Sequence, residues 1–201
     1  MLAMCGLLFS PSCNRGDQTQ EEPIKVVIVP SAPLPEPEPP KESIFDKVKK
    51  ETTLEGALIL SKPLMTDTHN EHSPGETVLT VWALQHMKWA DVGVVKDETT
   101  FKLVKKDSDE EKGKRLCATG RLIQISVEKT NLGKVYSGLL ITNSRDIYSF
   151  SNVGSSGSLV EEDRVRTCGI VIGNYSYSNS GGGTGHTVQL VGMFDLPENK
   201  T

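Results

Sequence analysis

The chain has 201 residues and a net charge of −4, with 24% charged and 36% hydrophobic residues. This length fits one domain with appendages, and no run of about 18 apolar residues predicts a transmembrane helix in the mature chain. The slightly acidic balance argues against a general nucleic-acid binder.

The N-terminus is a short apolar segment that ends in a serine and a cysteine and is followed at once by polar residues. Residues 1–13 resemble the end of a bacterial lipoprotein signal, in which Cys13 becomes the acylated first residue of the mature chain. Ser12 fits that motif, whereas Ser10 stands where the motif usually has Leu. The resemblance implies a lipid-anchored protein of the bacterial cell envelope that faces the periplasm. Cys5 is an alternative acceptor, although only four residues precede it. The remaining alternative is an ordinary apolar N-terminus with unmodified cysteines.

Residues 14–42 are rich first in acidic and glutamine residues and then in proline. Eight of the 11 prolines of the chain lie in residues 1–40. Such a segment prefers extended polyproline II and acts as a semi-rigid spacer. We therefore expect a disordered stalk between the anchor and a folded domain. A proline-rich ligand for an aromatic groove is the competing interpretation.

The segment 43–111 is predicted to be the helical N-terminal part of the folded domain, with one or two packing helices. Capping signals predict a short helix to about residue 50 and a further short helix near 109–113. A stronger start signal and a 3.6-residue apolar period predict an amphipathic helix over about 74–89. Both tryptophans lie on it, and we expect them to pack onto the domain rather than to form a ligand platform. The apolar segment 54–60 is interpreted as a strand.

From residue 112 onward the pattern changes to short strands separated by turn residues. Regular turn signals between short strands favour a small closed barrel over a parallel sheet. Five strands are predicted, over residues 115–127, 134–142, 147–153, 163–173 and 187–196.

Two of these strands contain a glycine, which permits strong coiling of a strand. An acidic turn followed by residues 164–166 and Gly169 resembles the fourth strand of an OB-fold, and the strand with Gly120 resembles its first. The resemblance covers about residues 112–197. It implies an α+β fold: a small five-stranded antiparallel OB-like β-barrel preceded by one or two packing helices and a disordered N-terminal stalk. Another small antiparallel barrel or a sandwich is the alternative.

The same segment also looks like a family of uncharacterised bacterial envelope proteins, and that likeness implies no particular function. In an OB barrel the first and fourth strands are antiparallel neighbours, and here they carry Cys117 and Cys168. An oxidising envelope compartment allows the two to pair, so a Cys117–Cys168 disulfide is predicted. Two buried thiols are the alternative.

No motif predicts catalysis, a cofactor or a metal. The polar segment 69–72 contains two histidines and a glutamate but is best interpreted as a solvated loop, because a metal needs further ligands. The glycine-rich segment 180–186 precedes a strand rather than a helix, so it does not fit a phosphate-binding loop. It is interpreted as part of a flexible connection over 174–186 between the last two strands.

Five residues are candidate ligand contacts. In an OB-fold the loop between the last two strands helps to frame the ligand face, and aromatic or basic side chains nearby can contact a ligand. Two interpretations remain for the two tyrosines, which are stacking on a ligand and packing against the end of the barrel. Neighbouring acidic residues can neutralise the charge of the arginines. The candidates are Tyr175, Tyr177, His186, Arg121 and Arg166.

The sequence therefore predicts a non-enzymatic envelope lipoprotein without a cofactor. Its role is binding or structural, for a protein partner in the envelope or a small ligand. The alternative is an intracellular protein whose OB-like face binds single-stranded nucleic acid or an oligosaccharide. Residues 114–201 carry a net charge of only +2, which counts against nucleic acid.

Overall fold

The computed structural model describes residues 42–178 and 181–200. The predicted leader, residues 1–13, and the predicted stalk up to residue 41 lie outside the described residues, so both stay predictions. Among the residues that are described, no helix is long and apolar enough to cross a membrane.

Helices occupy the first part of the described chain, and they are more numerous than the one or two that were predicted. The apolar segment predicted as a strand over 54–60 is a helix, and Thr53 caps it by accepting a hydrogen bond from the backbone N–H of Gly56. The α-helices of the described residues are α1 (Ile44–Lys50), α2 (Leu54–Ser61), α3 (Pro74–His86), α4 (Trp89–Val92), α5 (Phe101–Lys106) and α6 (Ser108–Glu111).

The helix predicted over 74–89 is divided in two. The backbone becomes extended at Met87, so α3 ends at His86 and a separate turn of helix carries Trp89. Trp82 and Trp89 are both buried in the cluster between the helices and the sheet. The expectation that the tryptophans pack onto the domain is therefore confirmed, although they belong to different helices.

The strands follow the predicted order but extend further at the last hairpin. The third and fourth have the predicted bounds, whereas the fifth continues to Ser178 and the sixth begins at Thr184. Most of the predicted loop over 174–186 is therefore a paired hairpin. The strands are β1 (Thr68–His69), β2 (Arg115–Lys129), β3 (Lys134–Thr142), β4 (Ile147–Val153), β5 (Arg164–Ser178) and β6 (Thr184–Phe194).

Five strands close into a ring in the order β5-β2-β3-β4-β6, because β6 pairs again with β5. The prediction of a wholly antiparallel sheet is wrong at one pair of the ring, since β4 and β6 run parallel. A closed ring with an odd number of strands cannot alternate in direction all the way round, so one neighbouring pair must be parallel. The two-residue strand β1 adds to β5 outside the ring, also in parallel.

Glycines allow the closest approach between strands of the ring. Gly169 of β5 pairs with Gly192 of β6 and with Leu116 of β2. A Cβ atom on Gly169 would lie 2.5 Å from the carbonyl oxygen of Val191, and one on Gly192 would lie 2.0 Å from that of Cys168. Any side chain at either position would therefore push the backbones of β5 and β6 apart, at the place where β5 pairs with both β2 and β6.

Two hydrophobic clusters lie on the two sides of the ring. The inner cluster contains Tyr136, Tyr148, Phe150 and Phe194, and α5 packs against it. The outer cluster lies between α1–α4 and the outward-facing residues of β5 and β6. The helices therefore cover one part of the ring's outer surface and leave the rest open to solvent.

The predicted disulfide between Cys117 and Cys168 is present. The two residues are directly opposite each other on β2 and β5, with their Cα atoms 4.0 Å apart. The backbone N–H of Cys117 donates to the carboxylate of Asp97 at 3.0 Å and not to β5. The pair is therefore a non-hydrogen-bonded antiparallel pair, the kind whose side chains approach most closely.

We predict that loss of this disulfide lowers the free energy of unfolding by about 4 kcal/mol, because the bond spans 51 residues and restricts the unfolded chain. Urea unfolding of the full chain and of the Cys117→Ala/Cys168→Ala variant measures the difference. Reductant should bring the wild type close to the variant and leave the variant unchanged. Equal stability of the oxidised wild type and the variant would contradict the prediction.

Candidate ligand-binding cleft

A cleft crosses the open outer face of the ring, between the β5–β6 hairpin and the beginning of α3. It has two adjoining lobes of about 250 and 230 Å³, and His72, Ser137 and Ser151 line both. The tyrosine lobe is lined by Gln124, Ser126, Ser149, Tyr175, Tyr177 and Gln189. The acidic lobe is lined by Glu76, Thr80, Val81, Leu84, Glu128 and Val135.

The floor of the cleft is polar because strand residues alternate between the two faces of the ring. On β4, Tyr148 and Phe150 belong to the inner cluster. Ser149 lies between these two residues in the sequence and Ser151 follows Phe150, so both serines face outward, where they line the cleft.

A β-bulge in β2 turns the next part of the floor outward. Leu122 pairs with Leu140 and belongs to the inner cluster, but Gln124 pairs with Leu139, so Ile123 is an extra residue. Strict alternation from Leu122 would place Gln124 inside the ring. The bulge reverses this, so Gln124 and Ser126 face the cleft.

A second bulge, in β5, turns the two tyrosines of the opposite wall toward the cleft. Val171 pairs with Leu190 inside the ring, whereas Gly173 pairs with Gln189 on the outer face. The extra residue is Ile172. Beyond it the tyrosines at 175 and 177 share the outer face with Gln189 and line the same lobe.

The two tyrosines form an aromatic wall on this hairpin. The rings of Tyr175 and Tyr177 are nearly parallel, with an interplanar angle of 17° and centroids 6.2 Å apart. Gly185 lies opposite Tyr177, and a Cβ atom there would come within 2.4 Å of the ring. Burial raises the pKa of Tyr175, and the nearby carboxylate of Glu76 adds to this.

Glu76 fixes the corner where the lobes meet. It is the third residue of α3, only 2% exposed, and its N–H donates to the capping hydroxyl of Ser73 at 3.1 Å. One carboxylate oxygen accepts a hydrogen bond from Ser151 at 2.7 Å, and the other accepts one from Nδ1 of His72 at 2.8 Å. The start of a helix also favours a negative charge at this place.

His72 stands at the mouth of both lobes with 65% of its side chain exposed. The hydrogen bond from its ring to Glu76 raises the pKa of His72 above its ordinary value, and burial opposes this only in part. The more distant carboxylate of Glu128 acts in the same direction as Glu76.

Two polar atoms buried beside the cleft have no hydrogen-bond partner within the described residues. Gln189 is only 3% exposed, yet its side-chain oxygen has no hydrogen-bond partner within the described residues, and neither has the hydroxyl of Thr80. Across residues 42–178 and 181–200, neither lobe is lined by a lysine or an arginine. The cleft can thus bind polar groups, but within the described residues it offers a phosphate no lysine or arginine.

The five candidate ligand contacts from the sequence do not all come together. Tyr175 and Tyr177 line the cleft. His186 lies on the other face of the hairpin, where its ring is hydrogen-bonded to Ser176 at 2.8 Å. Arg121 pairs with Glu162, and Arg166 pairs with Asp195 at 3.2 Å, both away from the cleft.

The sequence interpretation missed the polar floor and the acidic corner. The alternation of serine with aromatic residues on β4 is a signal that could have revealed part of the floor. The four-residue spacing of His72 and Glu76 around a helix start could have suggested their pairing. Gln124 and Gln189 had no such signal, because the first depends on a bulge and the second on the closure of the ring.

Metal chemistry has no candidate site in the part of the chain that is described. No group of three or more His, Cys, Asp or Glu side chains there is arranged to hold an ion. His69 is at the end of β1, while His72 is engaged with Glu76. The two histidines of the segment 69–72 therefore have separate surroundings.

No family model and no curated protein sequence matches this chain. Among solved structures, a mitochondrial single-stranded DNA-binding protein from S. cerevisiae is similar over 43% of this chain and 96% of that chain. The sequence identity is 14% and the TM-score is 0.28, so this likeness supports no statement about the fold or the ligand of this chain.

We predict that the pKa of His72 falls when Glu76 is replaced by Gln, because the hydrogen-bonded carboxylate is what raises it. A pKa raised by folding stabilises the protein below the unfolded value of about 6.5, and this contribution disappears as pH rises through the folded pKa. NMR titration of the His72 ring in the wild type and Glu76→Gln measures the shift. Glu71→Gln, which removes the neighbouring carboxylate and keeps the pair, is the control, and an equal fall in both variants would contradict the assignment.

Proposed function

We propose that this protein is a non-enzymatic binding module of the bacterial cell envelope, and that its ligand occupies the cleft. The observation that carries this proposal is the cleft itself. It combines polar groups on its floor, an aromatic wall and a buried acceptor that has no partner within the described residues, features found in small-ligand sites. The ligand is a small polar molecule or a polar segment of a protein partner.

The position of the cleft in the ring supports an OB-like barrel. Ligands of OB-folds bind over the second and third strands, between the loop after the first strand and the loop between the last two. The second and third strands of this ring are β3 and β4, and Ser137 and Ser151 place the cleft on their outer face. Glu128 and Thr130 border it from the β2–β3 hairpin, and the tyrosines border it from the β5–β6 hairpin.

Single-stranded nucleic acid is the second candidate, and the stacked tyrosine pair is the observation that favours it. Bases stack on aromatic side chains without regard to sequence. A nucleic-acid groove also needs lysine or arginine along the backbone path. The lining of both lobes lacks these residues within the described chain and includes Glu76 and Glu128 instead, so the geometry supports an uncharged ligand better.

The envelope address is part of the proposal. It is supported by the lipoprotein-like segment 1–13. The Cys117–Cys168 disulfide also supports it, because such bonds persist in oxidising compartments. Cys13 would carry the lipid, and the proline-rich segment 14–42 would hold the domain away from the membrane.

We predict that a photo-reactive aromatic residue at Ser126 cross-links to a ligand in living cells of the native host, whereas the same residue at Val127 does not. The two positions are adjacent on β2, but only Ser126 lines the cleft, and Val127 points to the opposite face. Mass analysis of the irradiated protein detects the adduct. Adducts at both positions or at neither would contradict a ligand site in the cleft.

We predict that the mature protein from its native host sediments with membranes and begins at Cys13 with attached acyl chains, because residues 1–13 resemble a lipoprotein signal. Intact mass measurement of separated membrane and soluble fractions tests this. Cys13→Ser should release the protein from the membrane fraction, and Cys5→Ser should not. A soluble chain that keeps residues 1–12 would contradict the proposed address.

A further inference from the structure

We infer that the ligand of the cleft is an uncharged N-acetylated oligosaccharide, of at least two sugar units, that spans the tyrosine lobe and the acidic lobe. This inference rests on the proposed binding role of the cleft and adds the chemical class of the ligand. It is carried by the different chemistry of the two lobes, which one such molecule satisfies at once.

The floor of the tyrosine lobe includes neutral groups that both donate and accept hydrogen bonds. Gln124 and Gln189 supply amides, and Ser126 and Ser149 supply hydroxyls. Sugar hydroxyls have the same dual character, whereas a phosphate or a carboxylate only accepts. A neutral polyhydroxylated ligand therefore matches the floor better than an anion does.

The aromatic wall suits the flat face of a sugar ring. The rings of Tyr175 and Tyr177 are nearly parallel and half-buried beside the polar floor. The face of an aromatic ring carries partial negative charge, which attracts the weakly positive C–H groups of a pyranose. Hydrogen bonds at the edge of the sugar and apolar contact on its face can then form together.

Gln189 favours a ligand that brings a hydrogen-bond donor into the tyrosine lobe. Its side-chain oxygen has no hydrogen-bond partner in the described chain, and the residue is only 3% exposed. An unpaired buried acceptor is costly for the empty protein. A rotation of the amide toward the lobe would let an O–H or N–H group of the ligand satisfy it.

The acidic lobe has acceptors beside an apolar surface. Glu128 lines this lobe together with Val81, Leu84 and Val135. Thr80 also lines it, and its hydroxyl has no hydrogen-bond partner within the described residues. An acetamido group presents an N–H donor and a methyl group side by side, so it can satisfy the acceptors and cover the apolar side chains. A plain hydroxyl would leave the apolar side chains exposed, and an acidic sugar would be repelled by the carboxylates.

The two lobes communicate, which sets the minimum length of the ligand. His72, Ser137 and Ser151 line both of them. One sugar on the tyrosine wall cannot also fill the acidic lobe, because the two lobes are distinct volumes of about 250 and 230 Å³ that adjoin at these residues. A chain of at least two units is therefore required to use both.

Calorimetric titration of the full chain with three probes tests the inference. The probes are chitotetraose, whose units are N-acetylated, cellotetraose, whose units are not, and a short oligothymidylate. We expect chitotetraose to bind about tenfold more tightly than cellotetraose, and we expect no saturable binding of the oligothymidylate. Equal affinity for the two sugars would overturn the acetamido assignment.

Three variants test which part of the ligand each lobe binds. Tyr177→Ala should weaken chitotetraose binding about tenfold or more, because truncation of a buried aromatic contact has an effect of this size. Val81→Thr keeps the shape of the side chain and should reduce the preference for chitotetraose over cellotetraose. Phe45→Ala, which removes an exposed aromatic ring on α1 outside the cleft, is the matched control and should leave both affinities unchanged.

The failures of the inference and of the proposed function are distinct. If chitotetraose does not bind, or binds with no loss in Tyr177→Ala, the sugar inference is overturned. If the oligothymidylate binds in place of the sugars and Tyr177→Ala abolishes this, the sugar inference is overturned while the cleft remains a binding site. The cross-linking comparison of positions 126 and 127 tests whether the cleft binds a ligand at all, and it assumes no particular ligand.

Discussion

One extra residue in each of two strands decides which side chains this protein presents to solvent. Ile123 interrupts the alternation of β2, and Ile172 interrupts that of β5. Each bulge reverses the direction of the side chains that follow, so Gln124 and the two tyrosines face outward rather than into the ring. The inner cluster is already filled with aromatic and aliphatic side chains and has no place for them. Without the bulges, strict alternation would turn Gln124, Ser126 and the two tyrosines into the ring, and the cleft would lose these lining residues.

Closure of the ring supplies the rest of the site. An odd number of strands requires one parallel pair, and that pair brings Ser149 of β4 beside Gln189 of β6 in direct register. The helical layer then contributes the acidic corner, because Glu76 joins α3 to Ser151 through a hydrogen bond of 2.7 Å. Side chains from segments far apart in the sequence thus converge on one face, which is why no local motif predicted the floor and the corner together.

The sequence was most informative where local chemistry is strong. It predicted the bounds of β3 and β4, the caps of α1 and α3, and the Cys117–Cys168 disulfide, because turn residues, caps and a pair of cysteines each have a local signal. It failed at α2, since a short apolar run fits a strand or a helix equally well. The glycine-rich hairpin was interpreted as a loop because glycine disfavours strands unless a partner packs over it, as Tyr177 does over Gly185. The bulges had no signal at all, because a shift of register depends on the partner strand.

The most direct test of the cleft as the binding site is a map of backbone amide chemical shifts in the full chain during titration with chitotetraose. The largest changes should fall at the residues that come together only on the outer face of the ring, which are Gln124, Ser126, Ser137, Leu139, Ser149, Ser151, Tyr175 and Tyr177. Small changes are expected around Phe45 and Ile59, which are exposed apolar residues outside the cleft. Changes in chemical shift concentrated on α1 and α2, which carry these two residues, or spread evenly over the surface, would contradict the account.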